Sequence, residues 1–577
     1  MQQCKDTIKR KKVENSPEQM TISITEVIKQ FKIKTDWKAI KYRKRSGVIV
    51  TSILHILLIL PFVGVSSLAG FVVKSYSKLY LGEKDVYYRF KNNHIINWRK
   101  LLMLMTHRFI ALVSQSEVKY QDIKENVKNV KAIIFDDTVT PKTGKVIEGV
   151  GMVHDHTQNI NILGFKILVC GYWTGSSFIP LDFSIHRENR QGKLEKLTLQ
   201  ETKKKAKKTE KLTGIKELKT RRTELKKRIK QIEKQLEKKE LKTLVQELTN
   251  KQVAFEKLEI RIKQKEKEYQ IVCYQVISIG NEILEIKSNF CGLKSEENKD
   301  QYKKTRKRNT AGYKRKKELD INKIDMSIKM LKRAVQNGFV PDYVLTDSWF
   351  FCQKMLVATQ ESGVHYISMA RINNAKYLDL ISGKFCAPKE LLARYERTKK
   401  QYSRKHKADY VELQVEYQGN RVKIFLVKLN RGQWRLLVSS DLKISFNRII
   451  EVYKTRWIIE VFFKECKQHL LLGKSQSRDF DGQIADISLS FMRYILLSYY
   501  QKSHYGITIG GLFRDLAQET TKITLLIEIK EFITELVEVV AELAGTDSFS
   551  VYENMLRSEK SQELLKKLGW ETEYLAA

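Results

Sequence analysis

The sequence lacks the pairing that thiol chemistry needs. Its seven cysteines, Cys4, Cys170, Cys273, Cys291, Cys352, Cys386 and Cys466, are odd in number and never stand as Cys-x-x-Cys. That argues against a disulfide framework and against a thiolate zinc site, and the compartment is expected to be reducing. Proline is scarce: there are six, with none between Pro180 and Pro341. The long middle of the chain therefore lacks the residue that most often breaks helices, and helix is expected there. From Ser46 to Val73 the chain has 28 residues without Asp, Glu, Lys or Arg. Length alone would let this run span a bilayer. Thr51, Ser52, His55, Ser66 and Ser67 interrupt it, Pro61 and Gly64 sit at its middle, and positive charge flanks it on both sides without giving an orientation. Two buried helices joined near Leu60–Pro61 are expected instead, with no membrane association. The first 45 residues are polar and charged, so no secretory signal is expected and the protein is placed in the cytoplasm.

What the chain has in excess is positive charge. Across 577 residues, 106 Lys+Arg stand against 66 Asp+Glu, a formal +40. Such a charge favours a polyanionic partner, nucleic acid above all. With 42% hydrophobic and 10% aromatic residues the chain can bury real cores, so a wholly disordered polybasic protein is excluded, and the length suggests three or four folding units.

The texture changes along the chain. Residues 1–125 read as helical, with apolar positions at helical spacing around Leu101, Leu102, Leu104, Phe109, Leu112 and Val113. From residue 127 short β-like runs begin: Lys131–Asp137 is an apolar strand ending in two carboxylates. Residues 160–171 and 176–185 form a hairpin turning at Trp173–Ser176. Gln191 to Gln270 then holds 26 Lys+Arg and 13 Asp+Glu, with Leu225, Ile229, Ile232 and Leu236 at coiled-coil spacing. The phase slips before Leu241, Leu244 and Leu248 and resumes at Phe255, Leu258 and Ile262, which suits a helical hairpin better than one seam. Gln301–Glu318 is a second basic run, with Tyr302 and Tyr313 interleaved, and is read as able to grip phosphates. In His154-Asp155-His156, alternation along a strand turns Asp155 away from both histidines, and no metal site is assigned.

Asp342–Asp347 is another short apolar strand delivering a carboxylate to its C-terminal end. In an open α/β sheet such ends converge on the ligand crevice, so Asp137 and Asp347 are candidates to share a metal. A strand-terminal Asp is also a common turn former or helix cap. A third acid comes from Glu451–Lys467, a segment of helical periodicity without Pro or Gly. At about 100° per residue, Tyr453, Arg456, Glu460 and Lys467 share a stripe about 60° wide, with Trp457, Ile458, Val461 and Phe462 as the packing face. One carboxylate with a guanidinium, an ammonium and a phenol suits a metal-bound phosphodiester. An ordinary solvated face with an Arg456–Glu460 ion pair has the same pattern.

The spaced residues Tyr453-x2-Arg456-x3-Glu460-x6-Lys467 match the Tyr-Arg-Glu-Lys signature of bacterial insertion-sequence transposases of the insertion-sequence-four family, which the chain resembles. Phe135-Asp-Asp-Thr138, Pro180–His186 and Leu345–Phe350 match further pieces in the family's order. The resemblance implies an α/β, ribonuclease-H-like mixed sheet core with an Asp-Asp-Glu triad, carried here by Asp137, Asp347 and Glu460 as catalytic and metal-binding residues. The acid directly before Thr138 is the one that matches the motif.

The family's β-rich insertion fits the 112 residues between Asp347 and Glu460, with strand-like runs at 410–417, 421–429 and 434–439. The 209 residues between Asp137 and Asp347 exceed a plain core. The domain organisation expected is a helical N-terminal DNA-binding domain at 1–125 and the first part of the core at 127–190. A basic coiled-coil insertion follows at 191–318, then the second core part at 319–370, the β-rich insertion at 371–445, core helices at 446–500 and a C-terminal helical region at 501–577. The implied cofactor is Mg²⁺, two ions, with Mn²⁺ as a substitute. The implied partners are double-stranded DNA, both the element's terminal inverted repeats and the target, and a second copy of the chain on the DNA. Tyr453, Arg456 and Lys467 are expected to hold the DNA backbone, and Trp349 to stack an unpaired base or else to pack in the core. A transposase is the expected function; the alternative is a non-enzymatic basic coiled-coil protein that bridges DNA.

Overall fold

The computed structural model describes residues 24–73 (apart from 41, 43, 45 and 66), 83–117, 130–187 (apart from 157), 193–196, 199–236, 242–268, 274–279, 282–287, 300–503 (apart from 430 and 431) and 507–567. The expected domain boundary near residue 126 lies outside them. The chain divides into two compact units, Met1–Val150 with Gly164–Arg187 and Asp300–Ala577, and Gly151–Leu163 with Glu188–Lys299.

In chain order the first unit opens with helices α1 (Ile24–Gln30), α2 (Ile33–Lys38), α3 (Val50–Ile59), α4 (Leu68–Val73), α5 (Lys84–Lys91) and α6 (Trp98–Glu117). The uncharged run thus folds as α3, a 3-10 turn at Leu60–Val63 begun by Pro61, and α4. Ile53, Leu54, Leu57 and Leu58 of α3 are buried, and no described helix is long and apolar enough to cross a membrane.

The strands that follow are β1 (Ala132–Pro141), β2 (Gly151–Asp155), β3 (Ile160–Trp173), β4 (Phe178–His186) and β5 (Lys193–Lys196). Next come α7 (Leu199–Leu236), α8 (Lys242–Glu268), β6 (Tyr274–Ile279) and β7 (Glu282–Lys287), then α9 (Ala311–Glu318), α10 (Lys323–Gln336), β8 (Tyr343–Thr346), α11 (Gln353–Glu361) and β9 (His365–Ala370). After these are β10 (Tyr377–Asp379), β11 (Lys384–Cys386), α12 (Pro388–Lys399), β12 (Lys400–Ser403), β13 (Ala408–Tyr417), β14 (Asn420–Leu429) and β15 (Arg435–Ser439). The chain closes with α13 (Phe446–Lys454), α14 (Ile458–His469), α15 (Phe480–Ser503), α16 (Ile509–Leu543), α17 (Ser548–Arg557) and α18 (Glu559–Lys567).

The first unit is a mixed α/β structure around a large sheet whose central order is β4-β3-β1-β8-β9. β1 pairs antiparallel with β3 and parallel with β8, and β8 pairs parallel with β9. This five-strand pattern is compatible with a ribonuclease-H-like core. The strands read from the sequence at 410–417, 421–429 and 434–439 form β13, β14 and β15. They extend the same sheet, because β15 pairs with β9. Gln418 and Gly419 make the two-residue turn between β13 and β14, both at positive φ as such hairpins require.

Buried ion pairs lock the helices on. Arg99 of α6 donates to Asp182 of β4 at 2.7 Å and to Glu318 of α9 at 2.8 Å, and Arg333 of α10 reaches the same Asp182 at 2.6 Å. An Asp buried at mid-strand is tolerable only because these guanidiniums neutralise it. The basic run 301–318 is corrected on this point: it belongs to the first unit rather than to the insertion, and several of its cations are already used. Arg306 pairs with Glu148 at 2.6 Å and Asp481 at 2.9 Å, Lys304 pairs with Asp479 at 2.8 Å, and Arg315 is buried beside Glu318 at 3.1 Å. A buried, paired cation is not available to a phosphate.

The second unit contains β2 with the start of β3, a three-stranded antiparallel sheet of order β5-β7-β6, and the helix pair α7 and α8. Arg222 lies 3.7 Å from Glu259 and Arg228 lies 3.8 Å from Glu247, so the two helices run antiparallel, with Ile232 and Ile262 buried.

Candidate active site

β1 begins as an apolar run, Ala132–Phe135, buried throughout, and turns polar at Asp136 and Asp137. Its parallel register with β8 ends by pairing Ile134 with Leu345, and each segment carries an acid two residues further on, Asp136 and Asp347. Both strand ends carry their carboxylates to one edge of the sheet. Alternation then separates the tandem acids. Ile133 and Phe135 pack in the core with Met326 and Met330 of α10. Asp137, on that same face, meets Lys323, the first residue of α10, with Nζ 2.5 Å from Oδ2. Asp136 faces the other way and accepts from Arg456 at 3.0 Å.

The second nitrogen of Arg456 donates to Glu460 at 2.7 Å, so one guanidinium links β1 to α14. The ion pair anticipated within the helix exists, with Asp136 added to it. Burial, then the charges of Asp347 and Asp137, push the Asp136 carboxyl up to about 7. Burial also raises Asp347, opposed by the Trp349 N–H and reinforced by Asp137. That N–H donates to Asp347 Oδ1 at 3.0 Å, so Asp347 forms a turn as well as facing the site.

The segment carrying the Tyr-Arg-Glu-Lys residues is not one continuous helix. A 3-10 turn, Thr455–Trp457, separates α13 from α14. Such a turn advances about 120° per residue instead of about 100°, which rotates the face of α14 by about 60° relative to α13. Of the expected packing face, Phe462 is buried and Ile458 and Val461 are half-buried, and only Trp457 is corrected. Ile459, Phe462, Phe463 and Cys466 are buried, while Trp457 is 62% exposed. Tyr453 remains close to Arg456, its ring 5.9 Å from the guanidinium carbon. Its hydroxyl donates to the carbonyl of Thr346 at 3.1 Å, and burial raises its pKa to about 12. Lys467 is half-buried on α14, about 10 Å along the axis from Glu460.

Gly171 decides where α14 can sit. A Cβ there would lie 2.0 Å from the Phe178 ring, and Phe178 in turn packs on Phe462 of α14 at 5.1 Å. Trp349 is 36% exposed, edge-on to buried Phe350 at 5.0 Å, with the Lys323 ammonium 3.8 Å from its ring centroid. It is therefore not a core residue.

The transposase DDE domain model matches residues 291–496. The match covers just over a third of the chain and supports a DDE transposase. Asp347, Tyr453, Arg456, Glu460 and Lys467 fall inside it, and the tandem Asp136–Asp137 lies before it. No curated protein matches the chain. DDE transposases generally use divalent metal ions. The donors at this sheet edge are carboxylate oxygens, which suit a hard divalent cation. Among the described residues no three His, Cys, Asp or Glu side chains already stand around one point as a metal cage. Arg456 and Lys323 hold three of the four carboxylates instead. Asp136 and Lys323 were not singled out from the sequence. The tandem Asp was a signal for the first; for the second, 185 intervening residues concealed the contact.

Proposed function

We propose that this protein is a DNA transposase. It binds the ends of its own insertion sequence, cleaves them by metal-dependent phosphodiester hydrolysis and joins the freed 3′-OH ends to target DNA. The observation that carries the reading is the bridge of Arg456 between Asp136 on β1 and Glu460 on α14, beside the strand end of Asp347, within and next to the matched domain.

Asp137, Asp347 and Glu460 are the residues proposed to hold two Mg²⁺ ions, for which Mn²⁺ would substitute, and Asp136, the acid of β1 that faces Glu460 across Arg456, would complete the set from the α14 side. Bound there, the ions would supply charge to activate the attacking oxygen and stabilise the leaving one. The chain's own residues orient the DNA. Lys467 would offer a cation to a phosphate oxygen, and Arg456, which pairs with Asp136 and Glu460 in the DNA-free chain, would turn to phosphate as metal takes up those carboxylates; Tyr453 braces the end of β8 against α13, and the ring of Trp349 offers a platform for an unpaired base. The partners proposed are the element's inverted repeats, target DNA and a second copy of the chain.

The test is a nicking and strand-transfer assay on DNA carrying the inverted repeats that flank the gene, with Mg²⁺. Cleavage at the repeat ends that disappears in Asp347→Asn and Glu460→Gln is expected. Cleavage of equal strength by these variants would sink the reading, and DNA bridging without any cleavage by the wild-type protein would favour the non-enzymatic alternative.

A further inference from the structure

Lys323 occupies two places at once. Its Nζ lies 2.5 Å from Asp137 Oδ2 and 3.8 Å from the centroid of the Trp349 ring. Both contacts are largely shielded, with 15% of the Lys323 side chain and 21% of the Asp137 side chain exposed. The base of the side chain is fixed. Asn322 caps α10 by accepting from the Ile324 N–H at 2.8 Å, and the Ile321 carbonyl accepts from His186 Nδ1 at 3.0 Å. Met326, Met330 and Leu331 then bury the helix. Movement at this point is confined to the four-carbon stem of the lysine.

We infer that Lys323 closes the DNA-free site and becomes a phosphodiester contact when DNA enters. This inference rests on the proposed role of Asp137 as a metal ligand. A divalent cation on Asp137 and an ammonium on the same carboxylate repel each other, so metal entry requires Lys323 to leave. A base stacked on the covered face of Trp349 would need the space in which Nζ now lies, so stacking requires the same departure. One side chain therefore couples DNA engagement to metal loading. Once displaced, its ammonium stands at the edge of the site with no carboxylate to pair with, where a backbone phosphate of the entering strand is the matching anion.

The test is a Mn²⁺ titration followed by electron paramagnetic resonance, with and without single-stranded oligothymidylate, on the full-length wild-type protein and on Lys323→Met, Lys323→Arg and Asp137→Asn. Without DNA, Lys323→Met should bind Mn²⁺ about tenfold more tightly than wild type, while Lys323→Arg, which keeps the charge, should stay near wild type. Oligothymidylate should strengthen Mn²⁺ binding to wild type and leave Lys323→Met unchanged. If Lys323→Met binds Mn²⁺ no more tightly than wild type while Asp137→Asn loses binding, the coupling is overturned although Asp137 remains a ligand. If Asp137→Asn binds Mn²⁺ as wild type does, the ligand reading itself fails and the coupling fails with it.

Discussion

The hydroxyl of Tyr453 donates to the main-chain carbonyl of Thr346 at 3.1 Å, tying the last turn of α13 to the strand end that presents Asp347. This tie assigns Tyr453 a brace as well as a surface. Tyr453→Phe removes one hydrogen bond and should cost about 0.5–1.5 kcal/mol in denaturant unfolding. Cleavage should slow while affinity for element-end DNA stays within about twofold of wild type, measured by gel shift. A large loss of affinity with full stability would make the phenol a direct DNA contact instead.

Glu460 and Arg456 should separate in their effects. Glu460→Gln is expected to abolish cleavage and leave end binding largely intact. Arg456→Ala should weaken binding and lower the salt slope by about one. It also strips the Asp136 carboxylate of its guanidinium. If Glu460→Gln loses DNA binding, the residue is structural.

His186 makes a pH prediction. Its Nδ1 donates to the Ile321 carbonyl and its Nε2 lies 2.6 Å from Ser184 Oγ, both in a buried setting. Burial, then the nearby Lys323 charge, hold its pKa down at about 4. The unfolded chain takes up this proton near pH 6.5 and the folded one only near 4, so stability should fall on acidification through that window by up to about 1.4 kcal/mol per pH unit. His186→Asn should flatten the dependence in urea unfolding curves collected from pH 4 to 7. An unchanged slope would mean the histidine titrates normally.

Gly171→Ala places a methyl group against the Phe178 ring, and the ring cannot retreat without moving Phe462 and α14. A loss of about 1–3 kcal/mol is expected. Cleavage should fall further than end binding, because Glu460 rides on the displaced helix. A variant as stable and active as wild type would show that Phe178 has another place to go.

Replacing residues 191–270 with a short Gly/Ser linker removes a net charge of +13. The first unit should still fold and stay soluble. Non-specific DNA binding should weaken with a shallower salt dependence, while metal-dependent nicking of bound ends persists. Insoluble protein would show that the helix pair is needed for folding.

Much of the local structure was legible in the sequence. The apolar runs at Ala132–Phe135 and Tyr343–Leu345 are short, rich in β-branched and aromatic residues and flanked by Lys131, Asp136, Asp342 and Thr346, and they fold as β1 and β8. The alternation at 410–417 and the proline-free 4-3-4 spacing at 225–236 likewise report on nearest neighbours along the chain, where the physics is local. The tertiary structure decided what each polar side chain faces. Whether Asp136 or Asp137 looks toward α14 depends on the face of β1 that receives the helix. That in turn depends on Phe178 filling the space above Gly171, more than a hundred residues before the segment it positions, α13–α14. The 3-10 turn at Thr455–Trp457, set by no proline or glycine, divides into α13 and α14 a segment whose periodicity reads as one helix. The pairing of Asp137 with Lys323 joins residues brought together only when α10 packs beneath the sheet. Contacts of this kind come from the closing of long loops over a shared core, and no spacing along the chain records them.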